Sequence, residues 1–295
     1  MNHALGRIFV DGESFAPIDA RVSALDHGFL YGDGVFETMR VYEGHAFRLD
    51  AHVERLVEAL AAVHIRDAPA KAVLTTYVRD ALARVGLREA SCRVSVTRGL
   101  GTRGIDPEAC GAPTVVVGVF PLRAASADVY RDGMSTAPLW PRARGDQPPP
   151  WVKSTSYQRG VLARIELART GAREGFYLDE EGNLTEGSFS NLFLVEGDTL
   201  VTPPRDVCLR GITRAEVLAI AADASMPARE EPVSAARLLA ADEVFVTSSI
   251  LELAPVTRFR EAPLGGGTPG PVHHRLHQMY RERVVAACAA ERSGE

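Results

Sequence analysis

The chain has 295 residues, 46% of them hydrophobic and 24% charged, with a formal net charge of −5. That length leaves room for two domains with separate cores. The mildly acidic balance excludes the basic footprint of a nucleic-acid or anionic-membrane binder. No apolar run reaches the roughly 18 residues of a membrane span, and the segment before Asp11 lacks the apolar stretch of a secretory signal. Four scattered cysteines (Cys92, Cys110, Cys208 and Cys288) suggest free thiols, so a cytoplasmic protein is expected.

Ile8-Phe9-Val10, Asp11-Gly12 and Glu13-Ser14-Phe15 read as a hairpin around an Asp-Gly turn. Residues 35–42 alternate as a strand, and Glu43-Gly44-His45 turns them into 46–49. Residues 50–63 form an amphipathic helix with Val53, Leu56, Val57 and Leu60 on one face, and a second helix covers 70–85, ending at Gly86. Strands at 92–97 and 114–120 flank a loop rich in glycine and arginine, 98–104. Residues 121–131 read as a linker between domains at 1–120 and 132–295. In the second domain, strands are expected at 135–139, 174–178, 191–195 and 243–247, and helices at 158–170, 213–224 and 272–290. The mixture lacks regular βαβ alternation, which points to an α+β fold in two domains. The Gly265–Gly267 run lacks the ending of a phosphate-binding P-loop and reads as a linker.

Only two of the 33 basic residues are lysines. Lys71 has the composition of an exposed helix start. Lys153, after Pro148-Pro149-Pro150-Trp151-Val152, reads as the end of a short strand. A lysine amine can lose its proton and attack a carbonyl, which arginine does not do. Thr213 and Glu216 have the spacing of a capping box, and Gly211 before them permits close backbone approach, so this helix start suits a phosphate. Thr247-Ser248-Ser249 adds hydroxyl donors. Glu186, among small residues before an apolar strand, is either solvated at a turn or aimed into a site to hold a heterocyclic nitrogen protonated. A Schiff-base amine, a carboxylate for a pyridine nitrogen and a phosphate cradle are together what pyridoxal 5′-phosphate requires. His273 and His277 stand at zinc-ligand spacing, but no glutamate base lies near them in sequence, and a solvated helix face with no metal is expected. Arg144-Gly145-Asp146 matches an integrin tripeptide and carries little information.

The chain resembles the fold-type IV pyridoxal-phosphate enzymes, the class IV aminotransferases. The resemblance runs through residues 26–37, 47–56, 152–154, 185–188, 211–214 and 241–247, in family order. It implies a small α/β N-terminal domain and a larger pseudo-barrel C-terminal domain, with shared active sites in a homodimer. It also implies Lys153 as the Schiff-base lysine and proton shuttle, Glu186 on the pyridine nitrogen, and Arg55, Ile212, Thr213, Ser248 and Ser249 around the phosphate. Tyr157 would meet the phenolic oxygen of the cofactor and Leu209 its ring.

The resemblance implies an aminotransferase acting between an amino donor and a 2-oxo acid, with an aminodeoxychorismate lyase as the alternative and a non-catalytic cofactor binder behind both. Arg93 matches the branched-chain enzymes, but Ser91 stands where they carry tyrosine. Arg103 matches the D-amino-acid enzymes, whereas Phe36 and Ile105 replace their tyrosine and histidine. Phe36-Glu37-Thr38 and the loop 98–104 resemble the lyases, although Ser248 replaces their asparagine. Tyr31, Phe36, Thr38, Arg93 and Arg103 are the expected substrate-binding residues.

Overall fold

A computed structural model describes residues 6–141 and 148–293; the Arg144-Gly145-Asp146 tripeptide and the first five residues lie outside them. Contacts gather the chain into two units that are discontinuous in sequence. Unit 1 takes residues up to Arg123, Val152–Tyr157 and the chain from Ala286; unit 2 takes Ala124–Trp151 and Gln158–Val285. The first boundary lies between Arg123 and Ala124. The short segment carrying Lys153 groups with the N-terminal unit, away from its sequence neighbours on both sides.

Unit 1 contains β1 (Arg7–Val10), β2 (Glu13–Phe15), α1 (His27–Tyr31), β3 (Gly34–Tyr42), β4 (His45–Ala46), α2 (Leu49–Ala62), α3 (Lys71–Val85), β5 (Ala90–Thr97) and β6 (Thr114–Pro121). Its antiparallel sheet runs β2-β1-β6-β5-β3-β4. The Asp-Gly hairpin forms as the sequence predicts, with both turn residues at positive φ. Alternation does the rest: Val35, Met39, Cys92, Val94 and Val117 are buried. So are Val53, Leu56 and Leu60 along α2, and Leu74 and Val78 along α3. Each such side chain stabilises the fold by about 1.5–3 kcal/mol. Gly86 ends α3 in the left-handed region, as a helix C-terminus favours.

Unit 2 contains α4 (Ala127–Asp132), β7 (Met134–Pro141), α5 (Gln158–Thr170), β8 (Glu174–Leu178), β9 (Leu184–Gly187), β10 (Asn191–Glu196), β11 (Thr199–Thr202), α6 (Ile212–Asp223), β12 (Ala228–Glu230), α7 (Ala235–Ala240), β13 (Glu243–Ser248), β14 (Glu252–Phe259), β15 (Ala262–Pro263) and most of α8 (Pro271–Ser293). The mixed sheet runs β12-β11-β10-β13-β14-β7-β8-β9, with β15 on β14. Strands β9 and β10 stand far apart in that order, yet a tight turn joins them, closed by Gly187 N–H donating to Ser190 O at 2.7 Å. The sheet must therefore curl into a half-barrel. Its core includes Phe176, Leu184, Leu192, Leu194, Val246 and Val256.

Two expectations change here. The linker 121–131 contains most of α4. Thr213 and Glu216 form no capping box: Gly211 occupies the N-cap with no side-chain bond, Thr213 is buried one residue into the helix, and Glu216 pairs with Arg283. Strands β9 and β11, four residues each, lack length, and the eight-residue β14, buried at nearly every position, lacks the alternation that would mark it in sequence. No helix among the described residues is long and apolar enough to cross a membrane, and all four cysteines are free.

Candidate active site

Lys153 does not end a strand. Three prolines, which lack the N–H a ladder requires, precede it, and residues 153–155 lie as a strap along the edge of β3. Phe36 N–H donates to Lys153 O and Thr155 N–H to Gly34 O, both at 2.9 Å, around a Val35–Ser154 bridge. Because paired residues share a face, the Lys153 side chain lies with Phe36. Its Nζ is 4.7 Å from the Phe36 ring centre and 6.0 Å from that of Tyr157, which meets Phe36 edge-on. In the β3–β5 register, Thr38 pairs with Arg93 and Phe36 with Ser95, adding those side chains to the same face. Arg93 stacks 3.5 Å over Phe36 and donates from Nε to Ser95 Oγ at 3.2 Å. Among the described residues no carboxylate pairs with Arg93.

The strap is also laced to α1, where Thr155 Oγ1 and Ser156 Oγ donate to Gly32 O at 2.7 and 3.0 Å. One residue earlier, the Tyr31 hydroxyl accepts the Gly104 N–H at 3.0 Å. The glycine-rich loop is anchored at its start by Arg98, which grips both oxygens of Asp33 and the carbonyls of Val63 and His64. Arg103, further along, is exposed.

Glu37, one residue on from Phe36, points to the opposite face. There Arg55 gives it Nε at 2.6 Å and Nη2 at 2.7 Å, and His52 Nδ1 lies 2.7 Å from Oε2. Burial works to raise the Glu37 carboxyl, but Arg55 and His52 override it and hold it far below the ordinary carboxylate range. Burial, partly offset by Glu37, lowers the proton affinity of His52. This buried triad escaped sequence reading, although a carboxylate on the apolar face of β3 was its signal.

In unit 2, Glu186 lies inside β9, buried and not at a solvated turn. Its Oε2 accepts the Leu209 N–H at 2.8 Å, and the Leu209 carbonyl accepts from Asn191 Nδ2 at 2.8 Å. The backbone of Leu209 is thus held on both sides of its Cα. Leu209 leads through Gly211 to the start of α6, where Ile212 and Thr213 stand; a Cβ on Gly211 would lie 1.9 Å from Asn191 Oδ1. Asn191 also pairs with Thr247 across the β10–β13 ladder, next to Ser248 and Ser249 at the strand end. Sequence reading missed Asn191. Unit 2 therefore gathers Glu186, Leu209, Ile212 and Thr213. Unit 1 gathers Lys153, Tyr157, Phe36, Thr38 and Arg93 on one face, while Arg55 meets Glu37 on the other.

The donor set fits the cofactor the sequence implies. The N-terminus of α6 has no side-chain cap, so its first amides suit a phosphate. A buried carboxylate matches a protonated ring nitrogen, and Lys153 supplies a primary amine.

His273 and His277 of α8 are not on a solvated face as expected, whereas His274 is exposed. His273 is buried with Nε2 at 3.2 Å from Leu253 O, and His277 Nε2 lies 2.6 Å from Glu252, a carboxylate remote in sequence. Among the described residues no group of side chains is arranged to hold a metal.

A mixed half-barrel carrying a buried carboxylate before an uncapped helix, and a lysine strapped beside an arginine, define a cofactor-dependent enzyme of amine chemistry. The amino-transferase class IV family model matches residues 34–259, and the chain belongs to that family, whose members are pyridoxal 5′-phosphate-dependent enzymes. It is 34% identical to a putative branched-chain-amino-acid aminotransferase of Methanocaldococcus jannaschii, over 94% of this chain and 96% of the relative. It is 31% identical to the aminodeoxychorismate lyase of Bacillus subtilis, over 94% of each. The crystal structure of the Escherichia coli branched-chain amino acid aminotransferase superposes with a TM-score of 0.89 at 30% identity, covering 94% of this chain and 93% of that one.

Proposed function

We propose that this protein is a pyridoxal 5′-phosphate-dependent aminotransferase that moves an amino group between an amino acid, or a related amine, and a 2-oxo acid. The observation that carries this reading is the common face of Lys153, Phe36 and Arg93. It puts a nucleophilic amine beside a guanidinium suited to a substrate carboxylate. When bound, the cofactor supplies an aldehyde that condenses with amines and a protonated ring that takes up the electrons of a carbanion.

The protein's residues supply the rest. Lys153 Nζ would be the amine that holds the cofactor through its aldehyde carbon, and, once the substrate amine takes that place, the base that moves a proton at the substrate carbon. Glu186 holds the proton on the ring nitrogen, and the α6 amides with Thr213, Ser248 and Ser249 bind the phosphate. Arg93 and Arg103 receive carboxylates, while Phe36 and Tyr157 wall the amine from water. Arg55, given to Glu37, acts on the phosphate through whatever donor capacity that pairing leaves it.

Exposed Ile18, Phe29 and Ile105, at 81%, 73% and 83% of their full areas, support a homodimer as the working form. The free cysteines support a cytoplasmic setting.

The lyase reading rests on a different observation, the fit of Phe36-Glu37-Thr38 and loop 98–104 to that branch of the family together with the 31% identical lyase relative. Mixing holoenzyme with L-amino acids, D-amino acids, amines or aminodeoxychorismate, and following both cofactor absorbance and pyruvate, separates the readings. Amino transfer to a 2-oxo acid supports the first; pyruvate release from aminodeoxychorismate without transfer supports the second.

A further inference from the structure

Glu174, the first residue of β8, is fully buried, and no basic side chain balances it among its hydrogen-bond partners. Its Oε1 accepts Gly175 N–H at 2.8 Å, Ser188 N–H at 2.9 Å and Ser188 Oγ at 2.6 Å; its Oε2 accepts Ser190 Oγ at 2.7 Å. A carboxylate in such a place costs several kcal/mol unless its donors are fixed. Here three of the four come from the turn between β9 and β10. The turn comes this close because residue 187 is glycine: a Cβ there would lie 2.2 Å from Ser190 Oγ and 2.8 Å from Glu174 Oε2.

The residues flanking this turn, Glu186 before it and Asn191 after it, are the two that grip Leu209. Their separation is set by how tightly residues 187–190 are folded, and Glu174 folds them. We infer that Glu174 is a positioning residue: by binding Ser188 and Ser190 it sets the spacing of Glu186 and Asn191, and so the placement of the ring-nitrogen acid and of the α6 start together. Glu174 touches no reacting atom. The inference rests on the reading of Glu186 given above.

Charge-assisted bonds to a buried carboxylate are strong and directional, which suits a part that must not drift. A turn held only by its backbone bonds, Gly187 N–H to Ser190 O and Ser188 N–H to Gly175 O at 2.9 Å, would let the side chain of Glu186 follow small movements of β9. Placement errors of this size reduce turnover well before they unfold a domain.

The test uses the Ser188→Ala/Ser190→Ala double variant, with Glu174→Gln as a second variant that keeps an acceptor for Gly175 and Ser188. In cofactor-free protein, hydrogen exchange is followed at the Leu209 amide and, as a control in the same unit, at the Phe245 amide. The expected result is exchange at Leu209 about tenfold faster with Phe245 unchanged, the scale of one weakened hydrogen bond. Cofactor should also bind about tenfold more weakly, and kcat should fall while KM holds. Equal acceleration at both amides, or none at either, overturns the inference. Glu186→Gln runs alongside: full turnover in that variant rejects the role of Glu186, while the Leu209 exchange still decides whether Glu174 positions it.

Discussion

The Lys153 carbonyl accepts the Phe36 N–H at 2.9 Å, and this one bond fixes which face of the six-stranded sheet receives the lysine amine. A slip of one residue along β3 would turn the amine toward the helix-packed face, where Glu37 already binds Arg55 and His52. The register of a three-residue strap thus decides whether the protein has a nucleophile.

Replacing that nucleophile tests the site most directly. Lys153→Ala is expected to lose turnover by about a hundred- to ten-thousand-fold, the range for removing a proton-transfer group. Borohydride treatment of the wild type should attach the cofactor covalently to the peptide containing Lys153, as mass spectrometry would show. Attachment at Lys71, or undiminished turnover in the variant, removes Lys153 from the chemistry.

Arg93 should discriminate between substrates. With no carboxylate partner among the described residues and a place on the Lys153 face, it is available to a substrate carboxylate. Arg93→Ala is expected to lower kcat/KM for carboxylate substrates by about ten- to a thousand-fold, and for amines lacking that group far less. Arg103→Ala provides the comparison, because this exposed loop arginine is the other group proposed to receive the carboxylate. Steady-state kinetics on a matched amino acid and amine decide which arginine matters.

The Glu37 triad makes a prediction about acid. A carboxyl whose proton affinity falls on folding contributes stability that is whole above its ordinary value near 4.5 and is lost as pH drops toward its folded value. The urea midpoint should therefore fall below about pH 4.5 in the wild type. Glu37→Gln should flatten that part of the decline and lower stability at neutral pH by about 3–5 kcal/mol, since Arg55 keeps a buried charge without its counterion. An unchanged midpoint at neutral pH would show the pair to be energetically idle.

His273 acts in a higher window. Burial lowers it from 6.5 to about 4. Above pH 6.5 neither folded nor unfolded chain is protonated there; between 6.5 and 4 the unfolded chain takes the proton and the folded one does not, so stability declines. The full effect is on the order of 3 kcal/mol. His273→Gln, which still donates to Leu253 O, should abolish this portion of the slope while leaving the Glu37 portion intact. Paired denaturation series at pH 7, 5.5 and 4 separate the two.

Much of unit 1 was legible because its elements are periodic. The alternation at 35–42 and 92–97 predicts β3 and β5, and the spacing of Val53, Leu56 and Leu60 predicts α2. The resemblance motifs likewise lead to Lys153 and Glu186. Their local structure was not legible. Lys153 lies on the edge of β3, an element more than 100 residues upstream in the sequence, and no local pattern announces that pairing. Glu186 was ambiguous because β9 is only four residues long and includes a charge. The Thr213 and Glu216 spacing misled because Gly211, packed against Asn191, starts the helix two residues earlier. The burial of His273 and His277 was not legible because Leu253 and Glu252, which receive them, lie some 20 and 25 residues upstream.

The strap has a consequence for how this chain can be cut. On the outer side of β3, Tyr42 pairs with His45 of β4, but Gly34 and Phe36 are covered only by residues 153–155. A fragment ending at Arg123 would retain all six strands of the sheet and expose raw backbone at those positions. Unpaired strand edges beside apolar side chains recruit other chains. Such a fragment should aggregate, and a synthetic peptide spanning Val152–Tyr157 should suppress the aggregation by occupying the gap. During synthesis the same gap stays open until residue 155 has left the ribosome, so the segment that carries the nucleophile also serves as the sheet's edge guard.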